Sequence, residues 1–150
     1  MVCEGNICRS PIAAALLGRD MPDVGVTSAG TRALVGRGAD PVAVQLMDDR
    51  GLNIRSHVST LLTPEQVRNA HLVLTMTRVQ RELIETKYSY ARGKTYRLGD
   101  HDDLDVVDPY QRGPFIFELA MAQIEQGVSR WLDTIARLSH WSLINESPHY

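Results

Sequence analysis

Cysteine is almost absent from this chain. Its 150 residues hold two, Cys3 and Cys8, and both lie near the start. A bridge between them closes only a very small ring, so no disulfide framework staples the fold. A reducing, cytoplasmic setting is the expectation. Long apolar runs are missing too. Nothing approaches the ~20 residues of a membrane-spanning helix, and no charged-then-apolar leader opens the sequence, so no membrane insertion is expected. Neither sign of charge dominates: 16 Lys and Arg stand against 18 Asp and Glu, a net charge of −2. That balance removes the general basic surface a nucleic-acid partner needs. There is no internal repeat and no low-complexity tract. The five histidines are scattered singly, without the spacing of metal ligands, so neither metal nor cofactor is expected. A content of 43% hydrophobic and 23% charged residues is ordinary for a globular protein. The length suits one domain over residues 1–150, with about 140–150 as a C-terminal tail.

Against that plain background one stretch stands out: Val2-Cys3-Glu4-Gly5-Asn6-Ile7-Cys8-Arg9-Ser10-Pro11. A cysteine, a tight loop with Gly5 and Asn6, an arginine and a Ser-Pro helix start make a cradle for a tetrahedral dianion with a nucleophile at its floor. Loop amides from Glu4 to Arg9 can point at phosphate oxygens, and the helix that follows places its positive end on the same spot. Arg9 adds a planar fork that matches two oxygens at once. The same positive field favours a thiolate at Cys3. Gly5 supplies permissive dihedrals, and Asn6 is among the few other residues that tolerate a positive φ. Cys3 alone would read as a small buried hydrophobe; the whole string does not.

The order of elements follows from periodicity and punctuation. Ser10-Pro11 predicts a helix start, with a hydroxyl cap and proline first, running over Ile12 to Arg19. Val24 to Ser28 reads as a short strand. Asp40-Pro41 caps a helix that stops at Gly51. Thr63-Pro64 starts a short helix ending near Ala70. Leu72 to Met76 is a buried strand by its continuous apolar run, Thr77 to Lys87 is helical, and Thr95 to Leu98 is a weaker strand. A long acidic loop covers Gly99 to Gly113. A final helix carries Phe117, Met121, Ile124, Val128, Trp131, Ile135 and Leu138 on one core-facing stripe. Strands alternating with helices predict an α/β fold, a small open parallel sheet with helices on both faces. The nucleophile loop then lies at the carboxyl edge, where such folds bind ligands.

On the string Cys-x-Gly-Asn-x-Cys-Arg-Ser-Pro the sequence resembles the low-molecular-weight protein tyrosine phosphatases, from Val2 to about Leu138. The resemblance implies a sheet of about four strands, in which a full strand precedes the cysteine. Here only Met1 and Val2 precede Cys3, so the first strand is expected to be truncated, either because the sequence begins late or because the sheet is altered. It implies Asp108, in Asp108-Pro109-Tyr110, as the general acid. Composition alone does not select it among the five aspartates of its loop, of which Asp100, Asp102, Asp103 and Asp105 read as a solvated acidic face. It implies attack by Cys3, a cysteinyl-phosphate held by Arg9 and the loop amides, and hydrolysis by water that Asp108 activates. Asn6, Ser10, Ser28 and His57 match the polar support behind the loop, and Leu34 and Tyr110 the two walls of the substrate cleft. Leu34 stands where animal members carry an aromatic residue, as in bacterial members linked to exopolysaccharide and capsule export. The implied partner is therefore a phosphotyrosine protein, a tyrosine autokinase among the candidates, met by a monomer or weak dimer. Cys8 lies close enough in sequence to trap an oxidised Cys3 as a disulfide, or simply packs under the loop.

Three neighbouring readings share the loop. Thioredoxin-coupled arsenate reductases need further cysteines, which this chain lacks. Protein arginine phosphatases carry threonine where this loop has Ile7. A silent phosphopeptide-binding module would need neither Cys3 nor Asp108.

Overall fold

The structure is a computed structural model that describes the backbone of residues 1–145 and the side chains of residues 1–140. Its helices begin where short-range chemistry places them. Asp40 accepts the Val42 N–H at 2.8 Å and opens α2, Pro41–Asp48, and the turn beyond it closes at Gly51, φ +74°. Thr63 and Thr77 open α3, Pro64–Asn69, and α4, Arg78–Lys87, each with a capping box in which Gln66 or Gln80 reaches back to the cap amide. Helix α1, Arg9–Asp20, differs from its sequence expectation. Its N-cap is Cys8, without a side-chain hydrogen bond, and Ser10 and Pro11 lie inside the first turn. The Ser10 hydroxyl does not cap because it is used elsewhere.

Four short parallel strands form one sheet in the order β2-β1-β3-β4. They are β1, Val2–Cys3; β2, Ala29–Gly30; β3, Val73–Thr75; and β4, Thr95–Arg97. Although β1 is only two residues long, it sits inside the sheet. Val2 pairs with Ala29 on one side and Thr75 on the other, and Cys3 pairs with Gly30. The strand expected over Val24–Ser28 forms later, at Ala29–Gly30. There it pairs with β1: the Met1 carbonyl accepts from Ala29, and the Met1 amino group donates to the Thr27 carbonyl.

Alternation along these strands separates two cores. Val2 and Val73 join Val67, Ile84, Tyr88 and Ala91 beneath α3 and α4. Cys3 and Leu74 face α1, α2 and α5, Pro114–Asn145, where Ile12, Leu16, Met47, Met121 and Ile124 pack together. Helices thus cover both faces. The stripe on α5 is buried from Phe117 through Trp131, Ile135 is half-buried, and Leu138, expected on the same face, is 57% exposed because it lies beyond the last side chains that reach the core. Trp131 Nε1 donates to the carbonyls of Arg97 and Leu98, at 3.2 and 3.0 Å, and pins α5 to the end of β4. Of the expected tail, residues 140–145 continue α5 and the remainder lies outside the described residues. No helix among the described residues is long and apolar enough to cross a membrane.

At Gly30, the end of β2, the sheet lies close against the loop that follows β1. A Cβ there would stand 2.4 Å from the Glu4 carbonyl oxygen and 3.0 Å from Ala33. Gly30→Ala should therefore lower unfolding free energy by about 1–3 kcal/mol in a urea titration. An unchanged midpoint would show that the loop moves aside freely.

Candidate active site

Between β1 and α1 the chain turns through a loop whose two sets of backbone dipoles are sorted. Every carbonyl from Cys3 to Cys8 is taken by a donor from the surrounding protein. Cys3 O accepts from Thr31 N at 2.9 Å, Glu4 O from Arg32 N at 3.0 Å, Gly5 O from Leu34 N at 3.1 Å, Ile7 O from Asp40 N at 2.8 Å and Cys8 O from Ile12 N at 3.3 Å. Gly5 O also takes the Ser59 hydroxyl at 2.9 Å, and Asn6 O the His57 Nε2 at 2.7 Å, which must therefore carry the proton. The N–H groups of Glu4, Gly5, Ile7, Cys8 and Arg9 find no acceptor among the described residues. With the carbonyls held outward, these amides form a concave set of donors at the positive end of α1, which is the physical description of an anion nest.

Asn6 organises the turn. It is fully buried with φ 58°, a conformation asparagine tolerates better than most residues. Its Nδ2 donates to Ser10 Oγ at 2.8 Å and Ser28 Oγ at 3.0 Å, and its Oδ1 accepts from Thr60 N at 2.9 Å. Having accepted from Asn6, the Ser10 hydroxyl has its own hydrogen for Cys3 Sγ, 2.9 Å away, and Asn6 N–H lies 3.2 Å from the same sulfur. Two donors therefore converge on Cys3 Sγ. Cys8 is set differently. Burial pushes its thiol well up from the ordinary value, and the carboxylate of Asp40 and the charge on Cys3 add to that shift. Cys8 stays protonated at neutral pH.

Arg9 is 4% exposed and reaches across the loop. Its Nη1 donates to Val106 O at 3.1 Å, and its Nη2 lies 3.6 Å from Asp108 Oδ2. Asp108 is about half exposed, and its other oxygen accepts the Tyr110 N–H at 3.1 Å, the side-chain turn that an Asp-Pro-Tyr sequence favours. Cys3 and Arg9, from one loop, thus meet Asp108, which is distant in sequence, in a cleft of about 170 Å³ lined also by Ile7, Arg32, Leu34 and Tyr110. A larger, open hollow of about 360 Å³ lies behind the loop, against Pro11, Ser28, Ile54 and His57. It contains none of those three groups, so volume does not mark the site. Among the described residues no group of three or more His, Cys, Asp or Glu side chains is arranged to hold a metal.

The sequence-predicted residues are brought together. Glu4, Gly5, Asn6, Ile7, Cys8 and Arg9 line the cleft with Cys3, Leu34, Asp108 and Tyr110, and Ser10, Ser28 and His57 all contact Asn6. Sequence reasoning missed Ser59 and Thr60, which hold Gly5 and Asn6; the hydroxyl-rich run around His57 was the available signal. The acidic loop is at the surface as expected, with the Asp103 side chain 80% exposed, but its acids are paired: Asp100, Asp103 and Asp105 gather on Arg97, while Asp102 pairs with Arg130 at 3.2 Å.

Comparison with known proteins decides the family. Residues 1–140 match the low molecular weight phosphotyrosine protein phosphatases. The chain belongs to that family. As a member it is an enzyme, a protein-tyrosine-phosphatase. Among its relatives is the probable low molecular weight protein-tyrosine-phosphatase EpsP of Ralstonia nicotianae, 41% identical over 138 residues, which cover 92% of this chain and 95% of that protein. The crystal structure of the tyrosine phosphatase Wzb from Escherichia coli K30, in complex with sulphate, superposes with a TM-score of 0.85 at 36% identity, over 89% of this chain and 94% of that one. The YwlE arginine phosphatase of Geobacillus stearothermophilus superposes at 0.82 with 32% identity, over 99% of this chain and 96% of that one.

The contrast between this phosphatase's two cysteines is directly testable. Iodoacetate at pH 7 should carboxymethylate Cys3 and leave Cys8 unmodified, read by peptide mass mapping. Faster labelling of Cys8 would contradict the protonated state assigned to it.

Proposed function

We propose that the enzyme hydrolyses phosphotyrosine through a cysteinyl-phosphate, with Cys3 as nucleophile, Arg9 as phosphate ligand and Asp108 as general acid and then base. The observation that carries this reading is the ring of unpaired loop amides around Cys3 Sγ, with the Arg9–Asp108 contact closing its mouth. A phosphate dianion in the nest takes hydrogen bonds from the amides and the Arg9 fork. Cys3 Sγ then lies beneath phosphorus and attacks in line as the ester oxygen departs. Asp108, in its protonated form, supplies the proton that oxygen needs. The phosphoryl group moves to sulfur while Arg9 and the amides keep their hold on its equatorial oxygens. Asp108, now a carboxylate, draws a proton from water as that water attacks phosphorus and frees Cys3.

Ile7, Leu34 and Tyr110 present apolar and aromatic surface along the cleft, which suits the flat phenyl ring of phosphotyrosine better than the short arm of phosphoserine. A phosphoarginine reading has support from the YwlE arginine phosphatase, but an apolar Ile7 at the cleft wall favours the phenolic ester over a charged guanidinium. The partner proposed is a phosphotyrosine segment of a cytoplasmic tyrosine autokinase tied to exopolysaccharide export, on the strength of the bacterial relatives the chain resembles.

Phosphate release from phosphotyrosine, phosphoserine and phosphoarginine substrates tests this reading. Phosphotyrosine should be preferred, and Cys3→Ser should abolish turnover while still binding inorganic phosphate. Ordinary turnover by Cys3→Ser would sink the nucleophile assignment. Asp108→Asn should lower kcat/KM by about 10²–10⁴-fold on esters whose alkoxide or phenolate needs a proton, and far less on those that leave unaided.

Cys8 has a second proposed role. It lies close enough to Cys3 to feel the charge there, and neither cysteine is in a disulfide. Peroxide converts the Cys3 thiolate to a sulfenic acid. The Cys8 sulfur then attacks the Cys3 sulfur, its proton leaving with hydroxide as water, and a disulfide forms that a dithiol reduces. Wild type should recover from peroxide on adding a dithiol, and Cys8→Ser should not. Equal recovery would leave Cys8 a packing residue.

A further inference from the structure

Arg97 ends β4 and is 6% exposed. A guanidinium that deep must have its donors used. Three carboxylates of the following loop use them: Asp100 at 3.2 Å from Nε, Asp105 at 3.1 Å from Nη1 and Asp103 at 2.5 Å from Nη2. Helix α4 adds a second layer. The Arg78 guanidinium donates to Asp103 at 3.1 Å, the Arg78 backbone N–H to Asp105 at 3.0 Å, and Arg81 lies 3.9 Å from Asp100. The hydrogen bond from Arg97 holds the Asp103 carboxyl below the usual range. Residue 103 also turns the chain with φ 48°, so the loop after β4 is wrapped around one cation.

The segment then runs straight to the cleft. Val106 is 1% exposed, donates to Met76 O at 2.9 Å and accepts from Arg9 at 3.1 Å. Val107 N–H donates to Gln123 Oε1 on α5 at 2.8 Å. Asp108 follows. From Asp105, on Arg97, to Asp108, beside Arg9, the chain spans at most ~10 Å at full extension. Without Arg97, three carboxylates held together on one side of this segment would repel one another.

We propose that Arg97 is a positioning residue for the phosphatase reaction: by gathering Asp100, Asp103 and Asp105 it sets the register of the segment that delivers Asp108 to the cleft. The inference rests on the proposed role of Asp108. Arg97 does not touch the nucleophile loop, so its removal acts on proton delivery and spares anion binding. Arg9 grips the segment from the cleft side, and Arg97 grips it from behind.

The test is kcat/KM on two aryl phosphates, a nitrophenyl ester whose phenolate leaves unaided and an unsubstituted phenyl ester that needs a proton. Competitive inhibition by inorganic phosphate and the melting temperature are measured beside it, with Asp108→Asn as reference. Arg97→Met should lose about tenfold or more on the phenyl ester and under about threefold on the nitrophenyl ester, with phosphate inhibition within about twofold of wild type. Arg97→Lys, which keeps the charge but not the three-way fork, should recover part of the loss. Asp105→Asn acts on the partner side at a half-exposed position, and should show the same preference more weakly. If Arg97→Met does not fold, the ratio of the two esters in Asp105→Asn decides. Equal losses on both esters, or a lower melting temperature alone, overturn the proposal. If Asp108→Asn shows the preference and the Arg97 and Asp105 variants do not, the inference fails by itself. If Asp108→Asn lacks it, the acid assignment fails and the inference falls with it.

Discussion

Asn6 carries the constraint on which the rest of the site depends. Its backbone adopts φ 58° and its side chain spends both donor hydrogens and its oxygen on Ser10, Ser28 and Thr60. That one residue turns the loop, and the turn lets each neighbouring carbonyl find a partner outside it. The amides have nowhere to point but inward. The site is thus a preorganised electrostatic surface, and the cost of orienting its dipoles is met when the chain folds rather than when a phosphate arrives. The same network sets the sulfur, because the Ser10 hydroxyl that receives Asn6 is the one that faces Cys3.

Charge is distributed around this nest with a definite sense. Arg9 is buried at its rim, Cys8 is kept neutral beneath it, and the principal carboxylate at the mouth, Asp108, lies against Arg9. The other acids of the same loop are drawn away onto Arg97 and Arg130. A loop with five aspartates can therefore border an anion site because four of them are engaged behind it, which lowers the repulsion a dianion would meet.

Much of this was legible in the chain itself, for identifiable reasons. Local chemistry reads well from sequence: Asp40-Pro41, Thr63-Pro64 and Thr77 with Gln80 mark helix starts through contacts that span only a few residues. The string from Cys3 to Pro11 is dense enough to state its own chemistry, and Asn6 at a positive φ followed from the tolerance of asparagine. What failed depends on partners far along the chain. The strand expected at Val24 formed at Ala29, where it pairs with β1 from far along the chain, and Ser10 reads as a cap until Asn6 and Cys3 are seen to claim its hydroxyl. The pairing of Asp100, Asp103 and Asp105 did not show because nothing near them in sequence tells that Arg97 is buried. Ser59 and Thr60 escaped notice since a hydroxyl bound to a distant backbone leaves no periodic trace.

The proposed mechanism requires the phosphoryl group to pass through the sulfur of Cys3. The most direct measurement is rapid acid quench of Asp108→Asn, slowed in the hydrolytic step, during turnover of a nitrophenyl phosphate, followed by mass mapping of the peptides. One phosphoryl group on Cys3, formed at the rate of nitrophenolate release and lost as inorganic phosphate appears, is the predicted result. A phosphoryl group on another side chain, or steady turnover with none on Cys3 at any time, would contradict the account.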